Sequence, residues 1–129
     1  MKHAILIVDD DKLILNTLQK RFESWDMDAF AVATPEEAKN VLKKIVPDIV
    51  ILDLLLTSED GSTSILDFMK ADSRLTHVPV IVLTNLNKPE LKEMLLAQGV
   101  KEFLVKGSMS LDDIYTKVLG YLEPEANKS

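Results

Sequence analysis

Polar side chains that could do chemistry stand directly after short apolar runs of this sequence. They are Asp9, Asp10 and Asp11 after the first run, Asp53 after the third, Thr84 and Asn85 after the fourth, and Lys106 after the fifth. Several carboxylates gathered in one crevice repel one another, so a cation is needed to offset their charge. Oxygen ligands without His or Cys favour Mg²⁺ over zinc. A lysine and a hydroxyl beside them suit a phosphoryl group, which makes one aspartate a candidate nucleophile that accepts phosphate.

The apolar runs predict five β-strands, over residues 4–8, 29–32, 49–52, 80–83 and 103–105. The first, third and fourth runs are apolar throughout, which is typical of parallel strands buried on both faces. The second and fifth runs are weaker and suit positions nearer the edges of a sheet. Carboxyl ends of parallel strands lie along one edge, where open α/β sheets bind their ligands. We therefore expect the polar residues that follow these strands to converge.

Helical patterns alternate strictly with the predicted strands. Thr34 and Glu37 form a capping-box signal at the start of the second helix, and Ser110 provides an N-cap for the fifth. The apolar stripe of the first helix is predicted to include Leu13, and Met94 of the fourth helix is predicted to lie in the core. This alternation favours a parallel sheet with helices on both faces, joined by right-handed crossovers.

Composition excludes several classes of protein. The chain has 129 residues, no cysteine, 47% apolar residues and a formal net charge of −6. These values predict one domain, exclude disulfides and thiolate sites, and disfavour direct nucleic-acid binding, which needs a basic surface. No apolar run is long enough to span a membrane, and the first run is too short for a secretory signal. We expect a cytoplasmic domain over residues 1–123, followed by a disordered C-terminal tail at 124–129.

The polar residues and their order resemble the receiver domain of two-component response regulators over about residues 4–122. The resemblance rests on Asp9-Asp10, Asp53, Asp60-Gly61, Thr84, Phe103 and Lys106. It implies a flavodoxin-like (βα)5 three-layer sandwich, an α/β fold whose parallel strands run in the order 2-1-3-4-5.

The resemblance also implies how phosphate and metal would be bound. Asp53 would be the phospho-acceptor, taking a phosphoryl group from the phosphohistidine of a sensor histidine kinase or phosphotransfer protein, or from acetyl phosphate. Asp9, Asp10 and Asp53 would bind Mg²⁺ together with the backbone carbonyl of Leu55. The domain would catalyse its own phosphorylation and dephosphorylation without turning over a separate substrate.

A conformational switch is implied as well. Lys106 would pair with the phosphoryl group, and Thr84 would be drawn toward it. Phe103 would change rotamer with Thr84 and alter the surface formed by the fourth helix, fifth strand and fifth helix, which a downstream effector would read. The domain would act as a monomer or a phosphorylation-dependent dimer, with no direct contact to nucleic acid or membrane.

The sequence departs from the family pattern near the predicted site. Gly107 follows Lys106 where the family usually has a proline joined by a cis bond. We expect a trans bond, because a cis bond costs about 2.5–4 kcal/mol before a residue other than proline. Thr57 stands where a proline is usual and Asn85 where a small residue is usual, which bears on the rate of phosphotransfer.

Other functions stay open at the level of sequence. A degenerate receiver would act as a constitutive protein-binding module, although the five usual site residues are all present. A flavin carrier is disfavoured because three aspartates after the first strand would repel the phosphate of the cofactor. A dinucleotide-binding enzyme is disfavoured because the sequence has no Gly-x-Gly-x-x-Gly motif. Both a stand-alone receiver and a piece of a longer regulator fit the sequence.

Overall fold

One parallel sheet lies between two layers of helices in the computed structural model, which describes residues 2–53 and 61–122. The strands are β1 (Ala4–Val8), β2 (Asp28–Val32), β3 (Ile49–Leu52), β4 (Val80–Thr84) and β5 (Glu102–Val105). The helices are α1 (Lys12–Ser24), α2 (Pro35–Lys44), α3 (Gly61–Lys70), α4 (Pro89–Ala97) and α5 (Leu111–Leu122). Among the described residues, no helix combines the length and the apolar character that a membrane span requires. The predicted tail at 124–129 lies outside the described residues.

The strand order is β2-β1-β3-β4-β5, with every neighbouring pair parallel. This order confirms the predicted flavodoxin-like sandwich. The fully apolar runs form the central strands β1, β3 and β4, whose residues are almost all buried, and the weaker runs form the two edges. The edge positions explain why β2 and β5 carry fewer apolar residues, since part of each edge strand faces solvent.

Two hydrophobic cores occupy the two faces of the sheet because strand side chains alternate between faces. One core joins β1, β3 and β4 to α2, α3 and α4 through Leu6, Val8, Val50, Leu52, Val80, Val82, Ala38, Leu42, Ile65, Met69 and Leu95. The other joins the alternate strand residues to α1 and α5 through Ile5, Ile7, Ile49, Ile51, Ile81, Leu83, Leu18, Phe22, Ile114 and Val118. Because each central strand packs against helices on both faces, its position along the strand direction is fixed. The position of its carboxyl end is fixed with it.

Helix starts follow the predicted capping signals. Thr34 caps α2 by accepting a hydrogen bond from the Glu37 amide (3.1 Å), and the Glu37 carboxylate accepts one from the Thr34 hydroxyl (3.1 Å). Ser110 and Asp113 form a similar reciprocal pair at the start of α5, at 3.1 and 3.3 Å. Both predictions of helix starts are confirmed.

Two predicted core residues are instead exposed. Leu13 is 75% exposed, and Leu15, Leu18 and Phe22 form the buried stripe of α1. At 100° per residue, Leu13 lies about 160° around the helix from Leu15, so it points away from the sheet. Met94 is 45% exposed because α4 turns only the neighbouring Leu95 fully into the core.

Candidate functional site

The first two acids of the site are positioned by neighbouring central strands. Asp9 follows β1 and Asp53 follows β3, and the two strands pair so that Val8 lies beside Leu52. The Asp53 amide donates to the carbonyl of Val8 at 2.9 Å, which continues the ladder one residue past β3. Asp9 and Asp53 are both buried, with 2% of each residue exposed. The ladder therefore holds two carboxylates side by side at the carboxyl edge of the sheet.

Lys106 bridges these two acids. Its Nζ lies 2.8 Å from Oδ2 of Asp9 and donates to Oδ2 of Asp53 at 3.0 Å. The Lys106 side chain is only 11% exposed, and its backbone amide donates to the carbonyl of Thr84 at 2.7 Å. The following Gly107 has a φ of 86°, a left-handed conformation that glycine adopts without strain. The peptide bond between Lys106 and Gly107 is trans, as predicted, since the described residues contain no cis bond.

Burial and neighbouring charges have opposing effects on the pKa values of Asp9 and Lys106. Burial raises the pKa of Asp9 to about 6, although hydrogen bonds from Lys106 and from the Asp11 amide (2.9 Å) work against that rise. Burial alone would lower the pKa of Lys106, but its hydrogen bonds to Asp9 and Asp53 raise it above the ordinary value. The lysine therefore stays charged near neutral pH and compensates part of the negative charge of the buried acids.

Asp10 completes a cluster of three carboxylates. Asp9, Asp10 and Asp53 each offer an oxygen within 4.8 Å of the others, and Asp10 is the exposed member. Asp11 turns away from this cluster and caps α1, accepting from the amides of Leu13 (3.0 Å) and Ile14 (3.4 Å). Hard oxygen donors around one opening, with no sulfur or imidazole among them, fit Mg²⁺, which takes one or two carboxylates and keeps several waters.

The predicted hydroxyl and aromatic switch residues lie in the next two strands. Thr84 ends β4, is fully buried, and accepts a hydrogen bond at Oγ1 from the Leu86 amide at 3.2 Å. Phe103 pairs with Val82 in the sheet and is buried in the core. A cleft of about 230 Å³ between the start of α4 and β5 borders Phe103, so open space adjoins this ring.

Several other residues were singled out in the sequence. Leu55, Thr57 and Asp60 lie outside the described residues, so the predicted backbone ligand and loop acid stay predictions. Gly61 is the first residue of α3, and Asn85 is exposed just beyond β4.

Sequence reasoning missed the direct contact between Lys106 and Asp9. It assigned Lys106 to a phosphoryl group and Asp9 to a metal ion, and did not pair them. The sequence did contain a reason to expect this contact. Two buried acids at adjacent strand ends need a nearby cation even when no ligand is bound, and Lys106 is the cation at a strand end.

The affinity for Mg²⁺ should fall as the pH drops below about 6. A carboxylate binds metal only when deprotonated, so protonation of Asp9 competes with the ion. We expect binding at pH 5 to be about tenfold weaker than at pH 7.5, measured by isothermal titration calorimetry. An Asp9→Asn variant, which lacks this titration, should show a smaller change. Equal pH dependence in the variant and the wild type would contradict this role of Asp9.

Comparison with protein-family models gives a match to the response regulator receiver domain over residues 5–119. A curated relative from Thiobacillus denitrificans, a protein-glutamate methylesterase/protein-glutamine glutaminase, is 32% identical over 99% of this chain. Another from Porphyridium aerugineum, a probable transcriptional regulator, is 30% identical over 81% of this chain. The chain spans only 35% and 42% of the lengths of these two relatives.

Solved structures show the same fold. A CheY-like receiver domain protein from Methanospirillum hungatei superimposes with a TM-score of 0.84 at 20% identity, covering 100% of both chains. A Francisella response regulator receiver domain gives a TM-score of 0.82 at 25% identity, covering 96% of this chain and 99% of its own.

Proposed function

This chain belongs to the response regulator receiver domain family of two-component systems, and we propose that it accepts a phosphoryl group on the Asp53 carboxylate. One observation carries the proposal: a buried aspartate at the end of a central strand lies within 3.0 Å of a lysine whose side chain is only 11% exposed, and beside two further acids. A structural role alone would not need three carboxylates at one opening, because each adds repulsion that the fold must offset.

The reaction is an in-line transfer between two nucleophiles. An oxygen of the Asp53 carboxylate attacks phosphorus, an O–P bond forms, and the N–P bond of a donor phosphohistidine breaks. The imidazole leaves with the bonding electron pair and takes a proton from solvent. With acetyl phosphate as donor, the O–P bond to the acetyl group breaks and acetate leaves. The product is an acyl phosphate on Asp53.

The neighbouring residues offset the charge of the transferred group. The carboxylates of Asp9, Asp10 and Asp53 would hold Mg²⁺, which when bound would supply positive charge beside the transferred group. Lys106 Nζ already reaches Asp53 at 3.0 Å, so it needs only a small movement to donate to a phosphoryl oxygen.

The switch would begin at Thr84. Its Oγ1 accepts from the Leu86 amide, which leaves the hydroxyl hydrogen available to a phosphoryl oxygen. Movement of this side chain would free buried volume for Phe103, whose ring also adjoins the cleft beside α4. The surface formed by α4, β5 and α5 would change in shape, and an effector that prefers one shape would shift the equilibrium by its differential affinity.

The donor would be a sensor histidine kinase or a phosphotransfer protein in the cytoplasm. The output would be binding of an effector to the α4, β5 and α5 surface, or phosphorylation-dependent dimerisation through it. The domain would catalyse its own phosphorylation and loss of phosphate, with no separate substrate.

Intact-protein mass spectrometry after incubation with acetyl phosphate tests the proposal. In the presence of Mg²⁺ we expect the mass of one phosphoryl group to be added, and with EDTA we expect the unmodified mass. Absence of the added mass in both conditions would refute phosphoryl transfer and favour a constitutive protein-binding module.

A further inference from the structure

A second cleft opens at the amino ends of the strands, on the side of the sheet opposite to the carboxyl ends where Asp53 lies. It lies between the end of α3 and the turn that follows α4, beside the first residue of β4, Val80. The phosphoryl site adjoins the last residue of the same strand, Thr84. At about 3.3 Å per residue, the two ends of β4 are about 13 Å apart, so the two sites are separate.

The walls of this cleft are apolar and belong to the core. The cleft has a volume of about 160 Å³. Its apolar lining consists of the partly buried Val78 and of five residues that are each no more than 6% exposed: Leu66, Met69, Leu75, Val80 and Val100. Apolar cavities of about 150 Å³ bind benzene-sized molecules. The space therefore matches one aromatic ring or one branched aliphatic chain.

One wall is held by the turn that ends α4. The Val100 amide donates to the carbonyl of Leu95 (3.1 Å) and the Gly99 amide to that of Leu96 (3.0 Å), the bonding pattern of a Schellman motif. Gly99 has a φ of 102°, and a Cβ built at this position would meet no atom within 4 Å. The turn therefore contributes backbone to this wall of the cleft, and Gly99 places no side chain there.

The polar side chains that line the cleft include one cation and no anion. Lys70, the last residue of α3, lines it together with Thr76 and Gln98. Lys70 makes no ion pair within residues 2–53 and 61–122, and no acidic residue lines the cleft. A negatively charged group at the mouth would therefore find a cation and meet no opposing carboxylate in the lining.

We propose that this cleft binds a small aromatic or branched aliphatic carboxylate. The apolar body of the ligand packs between Met69 and Val100, and its carboxylate lies at the mouth beside Lys70. The site does not depend on phosphorylation of Asp53, so its test is independent of the proposed function.

Methionine-methyl NMR with benzoate as the probe tests this site. The chain has five methionines, of which Met69 lines the cleft, Met27 lies in the other core, and Met94 is exposed on α4. We expect the Met69 signal to shift with saturation at a dissociation constant on the order of 1 mM, and Met27 to stay unchanged. No shift of Met69 at about 20 mM benzoate, or a non-saturating shift shared with Met94, would overturn the proposal.

Matched variants at the mouth sharpen the test. Thr76→Trp should fill the opening and abolish the Met69 shift, whereas His77→Trp, at the next exposed residue outside the lining, should preserve it. Lys70→Met should weaken benzoate about fivefold and leave neutral benzyl alcohol unchanged. An unaltered Met69 shift in Thr76→Trp would overturn the location, and unaltered benzoate affinity in Lys70→Met would overturn the preference for a carboxylate.

Discussion

Asp53→Asn is expected to leave the protein folded but unable to gain a phosphoryl group from acetyl phosphate. The amide has nearly the shape of the carboxylate but lacks the anionic oxygen that the proposed attack on phosphorus requires. Lys106 keeps its contact with Asp9 at 2.8 Å, so the core of the site retains a charged pair. We expect the rate of modification to fall by at least about a thousandfold, as for removal of a nucleophile.

The measurement is the time course of added phosphoryl mass at fixed Mg²⁺ and acetyl phosphate. Asp67→Asn, an exposed acid on α3, is the matched control and should react like the wild type. Asp10→Asn should react more slowly and recover with added Mg²⁺, because it would remove one of the proposed metal ligands and leave the proposed nucleophile in place. Phosphoryl mass on Asp53→Asn, or peptide mapping that places the group on another residue of the wild type, would refute the assignment.

Much of the fold could be predicted because the central strands are apolar throughout. Runs such as Ile49–Leu52 have no polar face, so only a two-sided core can bury them, and strict alternation with helices then gives the doubly wound sheet. The orientation of the helices was harder to predict. Leu13 and Met94 fit the apolar periodicity of their helices but are exposed. Each helix has more apolar residues than the sheet can cover, so the packing of the helix decides which of them are buried.

The sequence predicted that the polar residues at the strand ends would lie together. It did not predict which of their side chains contact one another. Strand ends place Asp9, Asp53, Thr84 and Lys106 along one edge in any parallel sheet of this order. The partner of each side chain depends on rotamers and local turns, which sequence spacing does not specify. Lys106 reaches both acids only because its backbone is tied to the end of β4 and the chain turns away at Gly107.

Lys106→Met should destabilise the protein by about 3 kcal/mol at pH 8, because two buried carboxylates lose their shared cation. The loss should depend on pH. Burial already raises the pKa of Asp9 from 3.8 in the unfolded chain to about 6 in the folded protein. Asp9 therefore contributes most to stability at a pH low enough for its carboxyl to be protonated in both the folded and the unfolded state. That favourable contribution is complete below pH 3.8 and lost as the pH rises through about 6. Without Lys106 the pKa of Asp9 rises further, so the loss of stability in the variant should be largest at high pH and should shrink toward pH 4.

Urea unfolding at pH 5 and pH 8, followed by fluorescence of the single tryptophan, Trp25, provides the measurement. This ring lies 5.2 Å from Tyr115 in an edge-to-face contact between α1 and α5, so it reports loss of the core. Lys101→Met, at an exposed lysine just before β5, controls for loss of positive charge and should be nearly neutral. Adding Asp9→Asn to Lys106→Met should restore part of the stability at pH 8, as should Mg²⁺, since each removes or offsets a buried negative charge. An equal loss at both pH values would show that Lys106 stabilises the fold by packing of its methylene chain, and the electrostatic account of the site would then be wrong.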